Sequence, residues 1–352
     1  MTTSGSVMNS DDLRRCIDSL PRARLAHLPT PLDEISRFSD HFGGPRILIK
    51  RDDCTGLALG GNKTRHSEFV MGEAFAEGTD LVVWGAGVQS NNCRQTAAAC
   101  ASLGLDCHLV LSRSAGHEEV QGNLLLDYLL GATYEIVDAT FGPELDAAIS
   151  ETADRFRSQG RNVYHATRDS VRTLSAVSYT LCMVELVEQL SERNIDPAAV
   201  YVSSGGATGA GLALGKALLG ASFRVRSILP APGTTGDDRQ YLASIANDVA
   251  RLLHFTVRLE SDDIDVDADH IGPGYSIPSP ACMEAIALLA RTEGILLEPS
   301  YSGKAMGALI ADIRAGHYSS DQTLLFLHTG GTPALFAYRD ELLDMIPGVN
   351  ND

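Results

Sequence analysis

The chain reads as an α/β protein of parallel sheets with helices on both faces, and three observations predict it. Short β-branched runs alternate with longer helix-like stretches nearly from end to end, the pattern of repeated strand-helix-strand units. Several of those runs lead straight into glycine-rich turns that open the next helix, where open α/β sheets place ligands. No long Pro/Gly/Ser linker, low-complexity block or repeat of about 20–50 residues interrupts the alternation, so the domains are expected to interleave.

In order, the expected strands are 47–50, 81–84, 108–111, 134–137, 162–165, 200–203, 225–229 and 323–328, each short and rich in Val, Ile, Leu or Tyr. Helices are expected between and after them, over 67–76, 94–103, 143–159, 171–190, 209–219, 237–253, 280–293 and 303–315. The run 260–269 holds six acids in ten residues. Ala268 stands where a calcium loop of that spacing needs glycine and the closing glutamate is missing, so it reads as a solvated loop; no metal is expected.

At 352 residues and 37.5 kDa the chain can bury a sizeable core and form about two domains. Forty-five acids against 28 bases give a net charge of −17, a field that repels polyphosphates, so nucleic acid and anionic membrane are poor partners. Apolar runs are cut by Glu284 and Lys216 well short of the roughly 18 residues of a membrane span. The stretch 1–12 is polar, unlike a signal peptide. Seven scattered cysteines with no C-x-x-C pair read as the reduced thiols of a cytoplasm. Lysine occurs only at Lys50, Lys63, Lys216 and Lys304, so chemistry that needs a primary amine has four candidates.

The sharpest segment is Gly60-Gly61-Asn62-Lys63-Thr64-Arg65, between a strand and a helix. A helix head disfavours an ammonium, and burial lowers a lysine pKa further, which suits an amine that adds to a carbonyl; the other reading is a loop lysine that is solvated or binds phosphate. In Trp84-Gly85-Ala86-Gly87-Val88-Gln89-Ser90-Asn91-Asn92, the polar residues at the helix start either bind a carboxylate or phenolate or simply cap the helix. Ser203 to Gly211 carries the glycines of a phosphate-binding turn, yet lacks the Gly and Ser/Thr positions of a nucleotide-triphosphate loop.

Gly85-Ala86-Gly87 and Gly206 to Gly211 also resemble degraded dinucleotide turns, and a NADP-dependent reductase using Arg113 is the competing class; no ribose-binding acid ends either following strand. Tyr275 and Tyr301 lie in Gly/Pro-rich loops, where a tyrosine stacks on a ring, moves protons or merely packs. His328, before Gly330-Gly331, reads as structural.

Taken together and in order, these segments resemble the fold-type II pyridoxal-phosphate enzymes, in the group that contains D-cysteine desulfhydrase and 1-aminocyclopropane-1-carboxylate deaminase. The matching pieces are G-G-N-K-T-R, V-Q-S-N-N, S-G-G-A-T-G, G-Y-x-x-P and Y-S-G-K-A-M, spread from Pro29-Thr30-Pro31-Leu32 to Thr332-Pro333-Ala334-Leu335. The resemblance implies two interleaved open twisted parallel-sheet domains: a large domain from 1–55 and 169–352, and a small one from 56–168. It implies pyridoxal 5'-phosphate as cofactor, a small amino-acid substrate and a homodimer.

Carried over by position, Lys63 would bond the cofactor aldehyde and later move the substrate α-proton. Gly205, Gly206, Ala207, Thr208 and Gly209 would hold the cofactor phosphate, and Asn91 its phenolic oxygen. Ser90, Asn91 and Asn92 would hold the substrate or assist proton transfer, with Tyr275 and Tyr301 beside the reacting carbons. Ser302 occupies the position that in ring-opening deaminases carries a glutamate facing the pyridine nitrogen. A serine leaves that nitrogen closer to neutral, a weaker electron sink that still supports β-elimination. The resemblance therefore implies elimination from a D-cysteine-like substrate to pyruvate, ammonia and sulfide. Its alternatives are 1-aminocyclopropane-1-carboxylate deamination to 2-oxobutyrate and L-cysteate sulfo-lyase chemistry. Asn92, where many relatives have histidine, removes an acid-base group from the pocket.

Overall fold

The structure is a computed structural model that describes residues 7–113, 117–233 and 236–344. Among the described residues, ten strands form two sheets: β1 (Leu32–Glu34), β2 (Arg46–Lys50), β3 (Leu81–Gly87), β4 (Asp106–Ser112), β5 (Thr133–Val137), β6 (Val163–His165), β7 (Ala199–Ser203), β8 (Arg224–Ile228), β9 (Asp265–Asp267) and β10 (Thr323–Leu327). One sheet runs β1-β2-β10-β7-β8-β9 and the other β5-β4-β3-β6. The smaller sheet is thus continuous in sequence, whereas the larger joins strands from both ends of the chain.

Successive side chains of a strand face opposite sides, and each sheet buries both. Ile47, Ile49, Tyr201 and Phe326 meet helices Pro280–Glu293 and Ser302–Arg314, while Leu48, Val200, Val202 and Leu325 meet helix Arg168–Glu192 through Tyr179, Cys182 and Leu186. In the small sheet Val82, Trp84 and Leu109 face helix Asn91–Leu103, and Val83 and Val110 face helix Pro143–Ser158. Strand order reverses beside β3, which pairs β4 on one edge and β6 on the other, and beside β7, flanked by β8 and β10. A crevice at such a reversal is where open sheets take ligands, and the segments after β3 and β7 are the two glycine turns singled out above.

The sequence leads to some differences. β1 pairs β2 antiparallel, because a short connection through helix Ser36–His41 returns the chain directly beside itself, whereas a parallel neighbour needs a longer crossover. The polar N-terminal stretch, whose residues 1–6 lie outside the described residues, enters helix Ser10–Ile17 on an Asn9 cap. The acidic run 260–269 is not wholly a loop: Asp265–Asp267 forms an edge strand held by Arg224–Asp265 at 2.7 Å and Arg226–Asp267 at 2.9 Å. Burial works against Asp267, but His270 and Arg226 hold its carboxyl at about 2. Two dinucleotide-like glycines serve packing, since a Cβ on Gly85 would meet Val110 O at 2.6 Å and one on Gly211 would meet Ala176 O at 2.2 Å. No described helix is long and apolar enough to cross a membrane, and all seven cysteines are free thiols.

A buried ionic network ties the elements together. Arg65 forks onto Asp52 (2.8 and 2.9 Å) and onto Glu185 (2.9 and 3.0 Å). Lys50 donates to Glu185 and to Thr30 O at 2.7 Å, and Tyr179 donates to Asp52. Two cations thus face two anions, each with added hydrogen bonds, the condition under which buried charges are tolerated. Although burial opposes it, Arg65 and Lys50 hold the Glu185 carboxyl at about 2. Because that value lies below the unfolded one, Glu185 stabilises fully above about pH 4.5 and loses its contribution as pH falls toward 2. Glu185→Gln is expected to lower unfolding free energy by about 3 kcal/mol at pH 7 and to flatten the stability profile between pH 4.5 and 2, measured by urea titration at each pH.

Candidate active site

The ends of β3, β7 and β10 open on one cavity of about 470 Å³. Its wall includes Lys63, Ser90, Asn91, Asn92, Gly205, Gly206, Ala207, Thr208, Tyr275 and Tyr301, residues far apart in sequence. Gly209 and Ser302 are not on it. The Gly209 amide donates to Ser204 Oγ at 2.9 Å, behind the wall, and Ser302 turns toward Glu298.

Lys63 enters the cavity from the first turn of helix Asn62–Ala76, whose cap residue Gly61 (φ +120°) offers no side chain. The loop before it is clamped from three sides. Arg94 donates to Ala58 O and to Gly60 O at 3.1 Å, Gln95 donates to Gly60 O, and the Asn62 amide donates to Thr329 O at 2.9 Å. Gly330 lies so close that a Cβ there would meet Gly61 Cα at 2.6 Å, so the turn after β10 seats the turn before Lys63. Burial pulls the Lys63 amine down to about 8. It also lowers Lys304, but that amine is spent on the carbonyls of Pro230 and Gly274 and lies off the cavity wall. Lys50 is committed to Glu185, which leaves Lys63 as the buried amine that faces the cavity.

Ser90 is the cap of helix Asn91–Leu103: its Oγ accepts from the amides of Asn92 (3.1 Å) and Cys93 (3.2 Å). The capping reading is therefore correct, and it leaves the hydroxyl proton to donate into the cavity. Asn123 Nδ2 donates to Asn91 Oδ1 at 2.9 Å, which assigns the Asn91 amide so that its NH2 group is the end left for a ligand acceptor.

After β7 the chain forms a cradle. Gly206, the cap of helix Ala207–Leu219, has no side chain, and with the Gly209 amide taken by Ser204 Oγ, the amides of Ala207 and Thr208 are left at the cavity edge as orphan donors. Gly206 has open space where a Cβ would stand. Asn62 Nδ2 donates to Thr208 Oγ1 at 3.0 Å, and His66 contacts the same oxygen at 3.2 Å. Burial, then the neighbouring Lys63 charge, keeps His66 well below its usual pKa and hence neutral. Among the described residues, Ser203 Oγ and Trp84 Nε1 are buried without hydrogen-bond partners, and both residues line this cavity.

Opposite, the Tyr275 and Tyr301 hydroxyls meet at 2.7 Å; burial raises both pKa values, so the pair is neutral. Tyr338 braces their loops through Ser276 O (3.0 Å) and Ser300 Oγ (2.8 Å). Beneath them Glu298, fully buried and raised in pKa by that burial, accepts from the amides of Ser300, Tyr301 and Ser302 at 2.7 to 2.9 Å. His328 is structural as read: its Nδ1 accepts from the Gly330 amide at 3.2 Å while Nε2 faces Leu296 O at 3.0 Å.

Sequence reasoning missed His66, Trp84, Phe141 and Arg168 on the wall. His66 carried a signal, since three residues after Lys63 places it on the same helix face. Trp84 sits near the C-terminal end of β3, where open sheets present ligand-facing residues. Phe141 and Arg168 arrive from loops and a helix start that no motif marks.

This architecture is that of a fold-type II enzyme, and the comparisons agree. The family model for "pyridoxal-phosphate dependent enzyme" matches residues 23–330, so the chain belongs to that family. It is 38% identical over 323 residues to D-cysteine desulfhydrase of Salmonella typhi, a match covering 90% of this chain and 96% of that one; the protein of the same name from Salmonella choleraesuis matches equally. A crystal structure described as an ACC deaminase homologue superposes with a TM-score of 0.86 at 30% identity, covering 95% of this chain and 99% of that one. Tomato threonine deaminase isoform 2 shares the fold alone, at TM-score 0.63, 17% identity and 99% and 97% coverage.

Pyridoxal phosphate is the cofactor of this family, and the residues fit it: a buried amine of lowered pKa, an uncapped helix start for a phosphate, and an amide donor for a phenolic oxygen. Borohydride reduction of the loaded protein is expected to leave the cofactor mass on the peptide bearing Lys63, and none there in Lys63→Ala. Because the amine must be unprotonated to react, cofactor uptake by apoprotein is expected to quicken from pH 7 and level off above about 8, followed by stopped-flow absorbance.

Proposed function

We propose that this chain is a pyridoxal-phosphate-dependent lyase that eliminates the β-substituent of an amino acid, D-cysteine or a close analogue, giving pyruvate, ammonia and the leaving group. The observation that carries the reading is Lys63, a buried amine held near neutrality at the edge of an anion cradle. The 38% identity to D-cysteine desulfhydrase over most of both chains supports the sulfur substrate.

Bound pyridoxal phosphate supplies an electron sink for the α-carbon once its proton is removed. The orphan amides at Ala207 and Thr208 would hold the phosphate, and the Asn91 NH2 group would donate to the phenolic oxygen. The Ser90 hydroxyl, its lone pairs engaged by two amides, donates to the substrate carboxylate. Lys63, neutral in a useful fraction at physiological pH, takes the α-proton. One proton of the Tyr275–Tyr301 pair bridges the two oxygens and the other is held toward the β-carbon, where it meets the departing group. Asn92 brings no titratable group to this wall, and with His66 engaged at Thr208 beside the phosphate cradle, proton movement falls to the lysine and the tyrosines.

We assign the small domain to 56–168 and the large one to 1–55 and 169–352, a division that the two sheets support, and the working form to a cytoplasmic homodimer. A ring-opening deaminase is the second reading, favoured by the 30% identical structure and disfavoured at position 302, where an uncharged serine, turned toward Glu298, brings no carboxylate to the cavity. The test offers D-cysteine, L-cysteine, L-cysteate and 1-aminocyclopropane-1-carboxylate separately, with the 2-oxo acid identified. Pyruvate from a β-substituted substrate is expected; 2-oxobutyrate from the cyclopropane would overturn the choice. Tyr301→Phe is expected to lower kcat on the good substrate by about 10²-fold and leave cofactor loading intact by absorbance.

A further inference from the structure

Arg168 is the first residue of helix Arg168–Glu192, a position where the helix dipole disfavours a cation. Its guanidinium stands 5.7 Å over the Phe141 ring, and among the described residues it has no carboxylate partner. Its neighbour on the wall differs: Arg172 is engaged by Asp169 at 3.2 Å and Asp248 at 3.3 Å. Arg168 is exposed and stands at the rim of the cavity, where aromatic contacts connect it to the wall. Tyr301 touches Tyr275 through their hydroxyls, the Tyr275 ring packs 5.7 Å from Phe141, and Phe141 carries Arg168. The guanidinium is therefore linked through Phe141 to the tyrosine side of the wall, where the lyase reading places the β-substituent.

Resting on the lyase reading, we propose that Arg168 is a specificity-determining residue that reads a second anionic group beyond the β-carbon, an oxyanion such as a sulfonate. A cation stacked on a ring keeps its in-plane donors free, and a guanidinium fork matches two oxygens of such a group. Its charge also stabilises the pair of electrons that the leaving group carries away. For a sulfonate the overall change is cysteate plus water to pyruvate, ammonium and bisulfite: the C–S bond breaks with its electrons on sulfur, and water supplies the oxo oxygen.

The experiment uses holoenzyme and compares kcat/KM on both enantiomers of cysteate, of cysteine and of the uncharged β-chloroalanine, in wild type, Arg168→Met and Arg168→Lys. Methionine is expected to lower the cysteate to β-chloroalanine ratio by about 30-fold, with lysine recovering part of it. Calorimetry with 3-sulfopropanoate, which lacks the amine and cannot react, is expected to show binding weakened by about 10-fold or more in the methionine variant. An unchanged ratio, or equal sulfopropanoate affinity in wild type and Arg168→Met, overturns the role of Arg168 and leaves the lyase standing. No 2-oxo acid from any β-substituted alanine overturns the lyase reading, and the calorimetric arm still decides whether Arg168 binds the anion.

Discussion

The pairing of Arg65 with Asp52 and Glu185 is the constraint on which the site depends. Arg65 follows Lys63 by two residues, which on a helix is a rotation of about 200°. Anchoring the guanidinium inside the protein therefore turns the lysine to the opposite side, into the cavity. The anchor also joins separate parts of the chain, since Asp52 follows β2 and Glu185 lies within helix Arg168–Glu192. Desolvating four charges is costly, so the network contributes little net stability. Its effect is positional: removing any member leaves a buried charge unmatched.

Around that anchor, the cavity is built from the ends of strands and helices more than from charged side chains. Strand ends and helix starts meet where each sheet reverses its order, and these supply backbone donors without the desolvation cost of buried cations. Glu298 plays the reverse part, receiving three amides from the turn that carries Tyr301. The result is a pocket whose amine, Lys63, is brought toward neutrality by burial alone.

Much of this was legible in the sequence, because glycine turns beside polar helix starts carry their geometry with them. Gly60-Gly61-Asn62-Lys63, Ser90-Asn91-Asn92 and Gly205-Gly206 were all readable as site segments; the last two line the cavity throughout, and the first does so through Asn62 and Lys63. Residues whose position comes from tertiary packing left no local mark. Nothing near Phe141 tells that its ring meets Tyr275, and nothing near Glu298 tells that its carboxylate folds back on three amides. The edge strands were equally hidden: β1 and β9 are three residues long, and β9 is acidic, stabilised by arginines on β8 some forty positions away.

The position of β10, between β2 and β7 in the middle of the larger sheet, bears on how the chain is made. During synthesis the four strands of the smaller sheet leave the ribosome as one continuous stretch and can pair at once. The larger sheet must wait with a gap at its centre until residues 323–327 emerge, because β2 and β7 have no ladder to each other without them. The turn that seats the Lys63 loop follows β10 directly, so a nascent chain acquires its cofactor pocket only once residues 323–330 have been added, and a chain stopped short of β10 carries the earlier motifs without a site.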